Sequence, residues 1–204
     1  MLKVYGFSRV NRFAHGLTKD LRILWALEEM HMPFELVGMD HTAGALEAEA
    51  FREVSPFQQL PAIDDDGLVL TETAAILIYL AKKSGKLIPS DAAGEAQVVR
   101  WSFCAATTVE MPLLNIVLFG RDSKMVSWAT KVLADLDRWL AHRELVATDA
   151  FTVADILMSL TLNECKDAKL FEPHAHVRAY RDRCLARPAW RRTFDAYCAR
   201  VEPT

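Results

Sequence analysis

Two short segments of this chain carry residue types that could hold a small charged peptide. Leu60–Pro61 stands where an apolar run begins, and Glu72–Thr73 opens a helical pattern, with Glu72 eleven residues beyond Pro61. Only about 5–6% of X–Pro bonds in folded proteins are cis, and a strand-entry proline can equally be trans. A cis bond at Leu60–Pro61 would turn the chain sharply. It would leave the N–H and C=O of Leu60 able to pair with an extended peptide, as a sheet edge does. At the second segment the first amides of a helix lack intrahelical partners and the helix dipole favours an anion. An α-carboxylate would fit beside Thr73, and Glu72 could take the ammonium of the same amino acid. An acid in the first turn is also an ordinary stabilising feature of a helix, and that simpler reading stands beside the first. Together the two segments suit one short, extended, charged peptide, held at one end by charge and in the middle by its backbone.

The elements that must position these segments follow from periodicity. Leu2–Gly6 reads as a short strand, and residues 7–17 as irregular. From Thr18, "TKDLRILWALEEM" places Ile23, Leu27 and Met30 at helical spacing, with Thr18 and Asp20 both plausible caps. "FELVGM" reads as a second strand, and "AGALEAEAFREV" as a short helix stopped by Ser55–Pro56. "PAID" and "LVL" are strands joined through Asp65–Asp66–Gly67, a hairpin signal, and "ETAAILIYLAKK" is an apolar helix. The order βαβαββα fills residues 1–82. Residues 83–94, "KSGKLIPSDAAG", read as a linker rich in Ser, Gly and Pro. Only helical patterns follow, over about 95–119, 124–142, 153–166, 174–186 and 189–200, with Pro112 expected to kink the first. The spacing therefore predicts an α/β domain over 1–82 and an all-helical domain over 95–204. "FTVADI" sets Thr152 three residues before Asp155, the pattern of a capping box at a helix start.

Bulk numbers exclude several classes. The chain has 204 residues, is 51% hydrophobic and 25% charged, and carries a net charge of −3. That balance argues against general nucleic-acid binding. Residues 1–82 hold seven Lys/Arg against twelve Asp/Glu, so −5, and the remainder seventeen against fifteen, so +2. The basic residues near the C-terminus (Arg178, Arg181, Arg183, Arg187, Arg191, Arg192) read as a solvated helical face. No membrane span and no signal peptide are expected, and the expected location is the cytoplasm. Cys104, Cys165, Cys184 and Cys198 form no C-x-x-C pair, and the histidines are scattered, so neither disulfides nor a metal site are expected.

At this point the residues show a resemblance. "PFQQLPAIDDDGLVLTETAAILIYLA", "LRILWALEEMHMPFE" and "FTVADILMS" resemble the glutathione transferases, and the similarity runs over essentially the whole chain. The resemblance implies a thioredoxin-like N-terminal domain, a helical C-terminal domain and a homodimer. It implies glutathione as co-substrate and no metal. By the same resemblance Pro61 is the family's cis-proline, and Leu60 the residue whose backbone pairs with the cysteinyl part of glutathione. Glu72 and Thr73 would hold its γ-glutamyl end, and Gln59 would lie near the glycyl end. Thr152 and Asp155 match a cap used for folding.

The chemistry implied is thiol activation. A free thiol has a pKa of about 8.5, and a hydrogen-bond donor near a helix N-terminus lowers it. The thiolate then attacks an electrophilic carbon. Family members place a Tyr, Ser or Cys after the first strand, but here the serine column falls near Leu17. Thr18 is the first candidate donor and Asn11 the reserve, with Ser8 also in the loop; Tyr5 lies within the strand and reads as structural. Thr108, Met111 and Asn115 share one helical face and are candidates for the second-substrate pocket, bordered by Trp101 and Phe119, although such a stripe is also what core packing produces. The expected function is conjugation of glutathione to small hydrophobic electrophiles, a detoxification chemistry. The alternatives are a catalytically silent interaction module of the same fold and a glutathione-dependent isomerase or dehalogenase.

Overall fold

Alternation in LKVYGF makes β1 (Leu2–Phe7), with Leu2, Val4 and Gly6 buried and their neighbours half-buried. The computed structural model describes residues 1–202. After β1 come α1 (Asp20–Met30), β2 (Glu35–Met39), α2 (Glu49–Arg52), β3 (Ala62–Asp65), β4 (Leu68–Leu70) and α3 (Thr73–Ser84). The strands form one sheet in the order β2-β1-β3-β4; β1 runs parallel to β2 and antiparallel to β3, and β3 antiparallel to β4. Asp66 (φ 52) and Gly67 (φ 94) both adopt the left-handed conformation that a two-residue hairpin turn demands. Apolar side chains of α1 and α3, among them Ile23, Trp25, Leu27, Ile76, Leu77 and Leu80, are fully buried with Val4 and Ile63 of the sheet. This is the βαβαββα order the spacing predicts and the thioredoxin-like arrangement the resemblance implies.

The expected helix over "AGALEAEAFREV" is shorter than its composition suggests. Asp40 accepts hydrogen bonds from the amide and hydroxyl of Thr42, at 2.9 and 2.6 Å, and starts a 3₁₀ turn over His41–Ala43. Gly44 then leaves the helical region (φ 72), so α2 keeps only four residues.

The helical unit spans Gly85–Arg187. It contains α4 (Ala92–Phe103), α5 (Glu110–Phe119), α6 (Ser123–Leu140), α7 (Val153–Glu164), α8 (Ala168–Phe171) and α9 (Ala175–Leu185). Asp91 caps α4 through the amide of Gly94 at 2.8 Å, which starts that helix earlier than its apolar periodicity. Between α4 and α5 the ladder widens to a π-helix over Cys104–Val109. Pro112 has no N–H to offer the carbonyl of Thr108 four residues back, so the disturbance expected of that proline falls on the turn before it. Ala92–Phe119 is 28 residues long and apolar enough by length and composition to cross a bilayer, yet Val98, Trp101, Ala105, Val109, Leu113 and Ile116 are buried where α4 and α5 meet α6 and α7. Helix α7 is buried along almost its whole length. It opens on a capping box: Asp155 accepts from the Thr152 amide and hydroxyl, both at 2.9 Å, and from Val146 N–H and the Tyr180 hydroxyl, both at 3.0 Å.

The last helix, α10 (Pro188–Cys198), clusters with Met1–Ser84 and not with the other C-terminal helices. Trp190 packs against Trp25 of α1 at 5.0 Å, and Arg192 pairs with Glu28 at 2.6 Å. Helical pattern alone places it in the all-helical domain over 95–204, because every element there is a helix. Periodicity says that a helix buries one face; it does not say against what.

Candidate functional site

The sheet register brings the candidate segments to one end. Tyr5 pairs with Ala62, and Ile63 with Leu70. The chain leaving β1 after Phe7, the chain entering β3 at Leu60–Pro61 and the chain leaving β4 toward Glu72 therefore all sit beyond the same edge of the sheet. The N-termini of α1 and α3 lie at that end too: Phe7, the last residue of β1, donates its N–H to Asp20 at the start of α1 at 3.2 Å, and α3 begins at Thr73, close behind β4. The first turns of two helices thus lie at the same end of the sheet as the candidate residues, and helix N-termini favour an anionic ligand.

Residues 55–61 are shaped by Ser55, which is 1% exposed. Its hydroxyl donates to the carbonyl of Gln59 and accepts from the amide of Gln59, both at 3.0 Å. Gln58 donates its N–H to Ser55 O at 2.8 Å and takes a left-handed φ of 54. The Leu60–Pro61 peptide bond is cis, Pro61 is buried, Leu60 is half-buried and Gln59 is exposed. Glu72 is exposed, and its backbone is also left-handed, at φ 67. For a residue with a Cβ that conformation costs on the order of 1–3 kcal/mol, and such outliers gather at functional sites. It places Glu72 just outside α3, with its carbonyl accepting from Ile76 N–H at 2.9 Å, and half-buried Thr73 as the first helical residue.

The loop between β1 and α1 holds the candidate donors. Exposed Asn11 caps a 3₁₀ turn (Arg12–Ala14) by accepting from Phe13 N–H at 2.9 Å. Leu17, in the serine column, is half-buried and donates its N–H to Ala14 O at 2.9 Å. Neither Thr18 nor Asp20 caps α1. The Thr18 hydroxyl donates to the phenol oxygen of Tyr197 at 3.0 Å, and Asp20, fully buried, accepts from Phe7 N–H at 3.2 Å. A Cβ on Gly6 would lie 2.8 Å from the Asp20 carboxylate, so this close approach of β1 to α1 requires glycine.

The second-substrate candidates belong to the helical unit. Thr108 and Met111 are exposed, and Asn115 is half-buried with its amide donating to Met111 O at 2.8 Å. Phe119 is exposed, whereas Trp101 is buried against Trp139 at 5.0 Å and serves the core. Among the described residues no group of three His, Cys, Asp or Glu side chains gathers as a metal-ligand set. Sequence reasoning missed Ser55 and Tyr197. Ser55 had a local signal, a serine before Pro56 where the chain must turn; Tyr197 had none, because its partners lie about 180 residues away.

Comparison with known proteins agrees with this geometry. Residues 13–82 match the glutathione S-transferase N-terminal domain. A glutathione S-transferase of Silene vulgaris is 32% identical, with 94% of this chain and 96% of the relative covered. Glutathione S-transferase F9 of Arabidopsis thaliana is 28% identical over 97% of this chain and 98% of that protein. Among solved structures, a glutathione transferase of Burkholderia graminis, with two glutathione molecules bound per subunit, superposes with a TM-score of 0.80 at 25% identity, covering 96% of this chain and 88% of that one. The chain belongs to the glutathione S-transferase family and is, at the level of that family, a transferase enzyme.

Proposed function

We propose that the protein conjugates the thiol of glutathione to small hydrophobic electrophiles. The observation that carries this reading is the convergence at one sheet end of Leu60–Pro61, the left-handed Glu72 with Thr73, and the loop to α1. In this reading Glu72 takes the γ-glutamyl ammonium. Thr73 and the first amides of α3 take the adjoining carboxylate. Leu60 pairs with the cysteinyl backbone, and Gln59 reaches the glycyl end. The thiol lies toward the start of α1, where Thr18, with Asn11 in reserve, is the donor that favours the thiolate. Thr108, Met111 and Asn115 contact the electrophile. The Burkholderia graminis relative, crystallised with glutathione, supports the choice of ligand.

We further propose a cytoplasmic homodimer acting in detoxification. Phe57 (78% exposed) in the first unit, and Phe103, Leu118 and Phe119 in the helical unit, are apolar side chains that a second copy would cover. Light scattering at micromolar concentration should give twice the 23.0 kDa chain mass, and a single-chain mass would refute the dimer. The functional test is calorimetric titration with glutathione, followed by turnover on a panel of aryl halides, epoxides and α,β-unsaturated carbonyls. Binding with turnover is expected. Binding without turnover on any electrophile would point to the silent module, and no binding would refute the reading.

A further inference from the structure

We propose that Tyr197 is a positioning residue, the outer member of a hydroxyl chain that runs from α10 through Thr18 to the glutathione sulfur. The inference rests on the glutathione transferase reading above and deepens it by saying what makes Thr18 a competent donor.

Tyr197 is fully buried, although it comes from the far end of the sequence. Its phenol oxygen accepts from Gly16 N–H at 3.2 Å and from the Thr18 hydroxyl at 3.0 Å. The phenol donates to Ala14 O at 3.3 Å. One side chain thus ties three positions of the five-residue segment 14–18 that leads into α1. The ring is itself held in place: His15 stacks on it at 6.1 Å and Phe194 at 6.0 Å, with interplanar angles of 12° and 19°. Neighbouring backbone of the C-terminal segment is strapped to the same loop. Val10 N–H donates to Arg200 O at 2.9 Å, Glu202 N–H to Val10 O at 3.0 Å, and the Arg200 guanidinium to Phe7 O at 2.6 Å.

In this arrangement the Thr18 proton points at the phenol and not at a ligand. The same oxygen positions admit a second arrangement that requires only hydrogens to rotate. The phenol proton can leave Ala14 O, at 3.3 Å, for the Thr18 oxygen, at the shorter 3.0 Å. Ala14 O is not stranded by the change, because it keeps the N–H of Leu17 at 2.9 Å. The Thr18 proton is then available to a thiolate, while the thiol proton passes to solvent. Thr18 is half-buried, so part of it remains accessible. The phenol continues to accept from Gly16 N–H, and a hydroxyl that accepts a hydrogen bond donates more strongly. Each link therefore polarises the next toward the sulfur. Burial pushes the phenol pKa above its ordinary 10.0, so the proton stays in place at working pH. This also accounts for a threonine serving beside a serine column filled by leucine: Thr18 alone would be a weak donor, and the phenol behind it strengthens it.

The test compares wild type, Tyr197→Phe, Thr18→Val and the double variant. Two readouts are taken, the thiolate absorbance of bound glutathione and the pH profile of kcat/KM. Thr18→Val should raise the apparent thiol pKa by about one pH unit, the equivalent of one charged-acceptor hydrogen bond, and Tyr197→Phe should raise it by a smaller amount, because the Thr18 bond remains but is no longer strengthened. The double variant should go no higher than Thr18→Val, because Tyr197 acts only through Thr18. A thiol pKa unmoved in Tyr197→Phe, or rises that add in the double variant, would overturn the chain. Thermal unfolding monitors the fold. Should Tyr197→Phe fail to fold, Thr18→Ser must keep the wild-type profile and Thr18→Val must shift it; a Thr18→Val profile that stays put refutes the proposal. If wild type does not bind glutathione, the functional reading itself fails. If every variant binds glutathione with an unmoved thiol, only the hydroxyl chain fails.

Discussion

Ser55 shows how much of the candidate site rests on side chains buried beneath it. Its buried hydroxyl makes reciprocal 3.0 Å bonds to both backbone groups of Gln59, one residue before Leu60. Ser55→Ala leaves those groups without their partner. It should cost about 1–3 kcal/mol of stability and weaken glutathione binding, measured by chemical denaturation and calorimetry on the same variant; unchanged values for both would remove Ser55 from this role. Glu72 illustrates what a sequence can and cannot disclose at this scale. Its charge, its place at a helix start and the hydroxyl of Thr73 beside it are legible in "LTETAAI". Its left-handed backbone is not, because such a conformation is signalled by glycine or asparagine, and glutamate signals neither. The partner of Thr18 was equally hidden. A threonine before a helix predicts a cap, and only the folded chain brings a phenol from α10 within 3.0 Å.

At the scale of elements, β3 and α3 are fastened by Asp65. Its carboxylate accepts from the Tyr79 hydroxyl at 2.7 Å and from the Lys83 ammonium. The Lys83 hydrogen bond first, then that of Tyr79, holds the Asp65 carboxyl below its ordinary 3.8. A carboxyl with a depressed folded-state pKa binds its proton more weakly than in the unfolded chain. The stability it contributes is therefore fully present above about pH 3.8 and is lost as pH falls through the lower folded value. Chemical denaturation between pH 5 and pH 2 should show a slope that Asp65→Asn reduces, and a slope identical in the two proteins would contradict the clasp. Strands and long helices were legible because burial imposes periods of about 2 and 3.6 residues on the sequence. The four-residue α8 was not, since a single turn is too short to show a period, and the helix read over "AGALEAEAFREV" was legible in place but not in length. The π-helix before Pro112 was half legible: the missing donor announces a disturbance but not how the ladder absorbs it.

At the scale of the whole chain, α10 is the element whose place the sequence did not disclose. Burying Trp190 on Trp25, and tying the β1–α1 loop through Tyr197 and Arg200, makes the C-terminal segment part of the unit that holds the candidate site. A chain ending after Arg187 should lose glutathione affinity together with cooperative unfolding of the first unit; a truncated chain that binds like wild type would show the segment to be dispensable. The separation of charge between residues 1–82 and the remainder was visible from composition, yet it says nothing of which helix packs where. The central claim, that the end of the sheet between Leu60–Pro61 and Glu72–Thr73 holds glutathione, is tested most directly by calorimetry on wild type, Glu72→Gln and Glu72→Gly. Both variants should bind at least about tenfold more weakly, a loss of ~1.4 kcal/mol. Glu72→Gly should at the same time gain on the order of 1 kcal/mol in stability as the left-handed strain is relieved. Glutathione binding of equal strength in all three proteins would contradict the account.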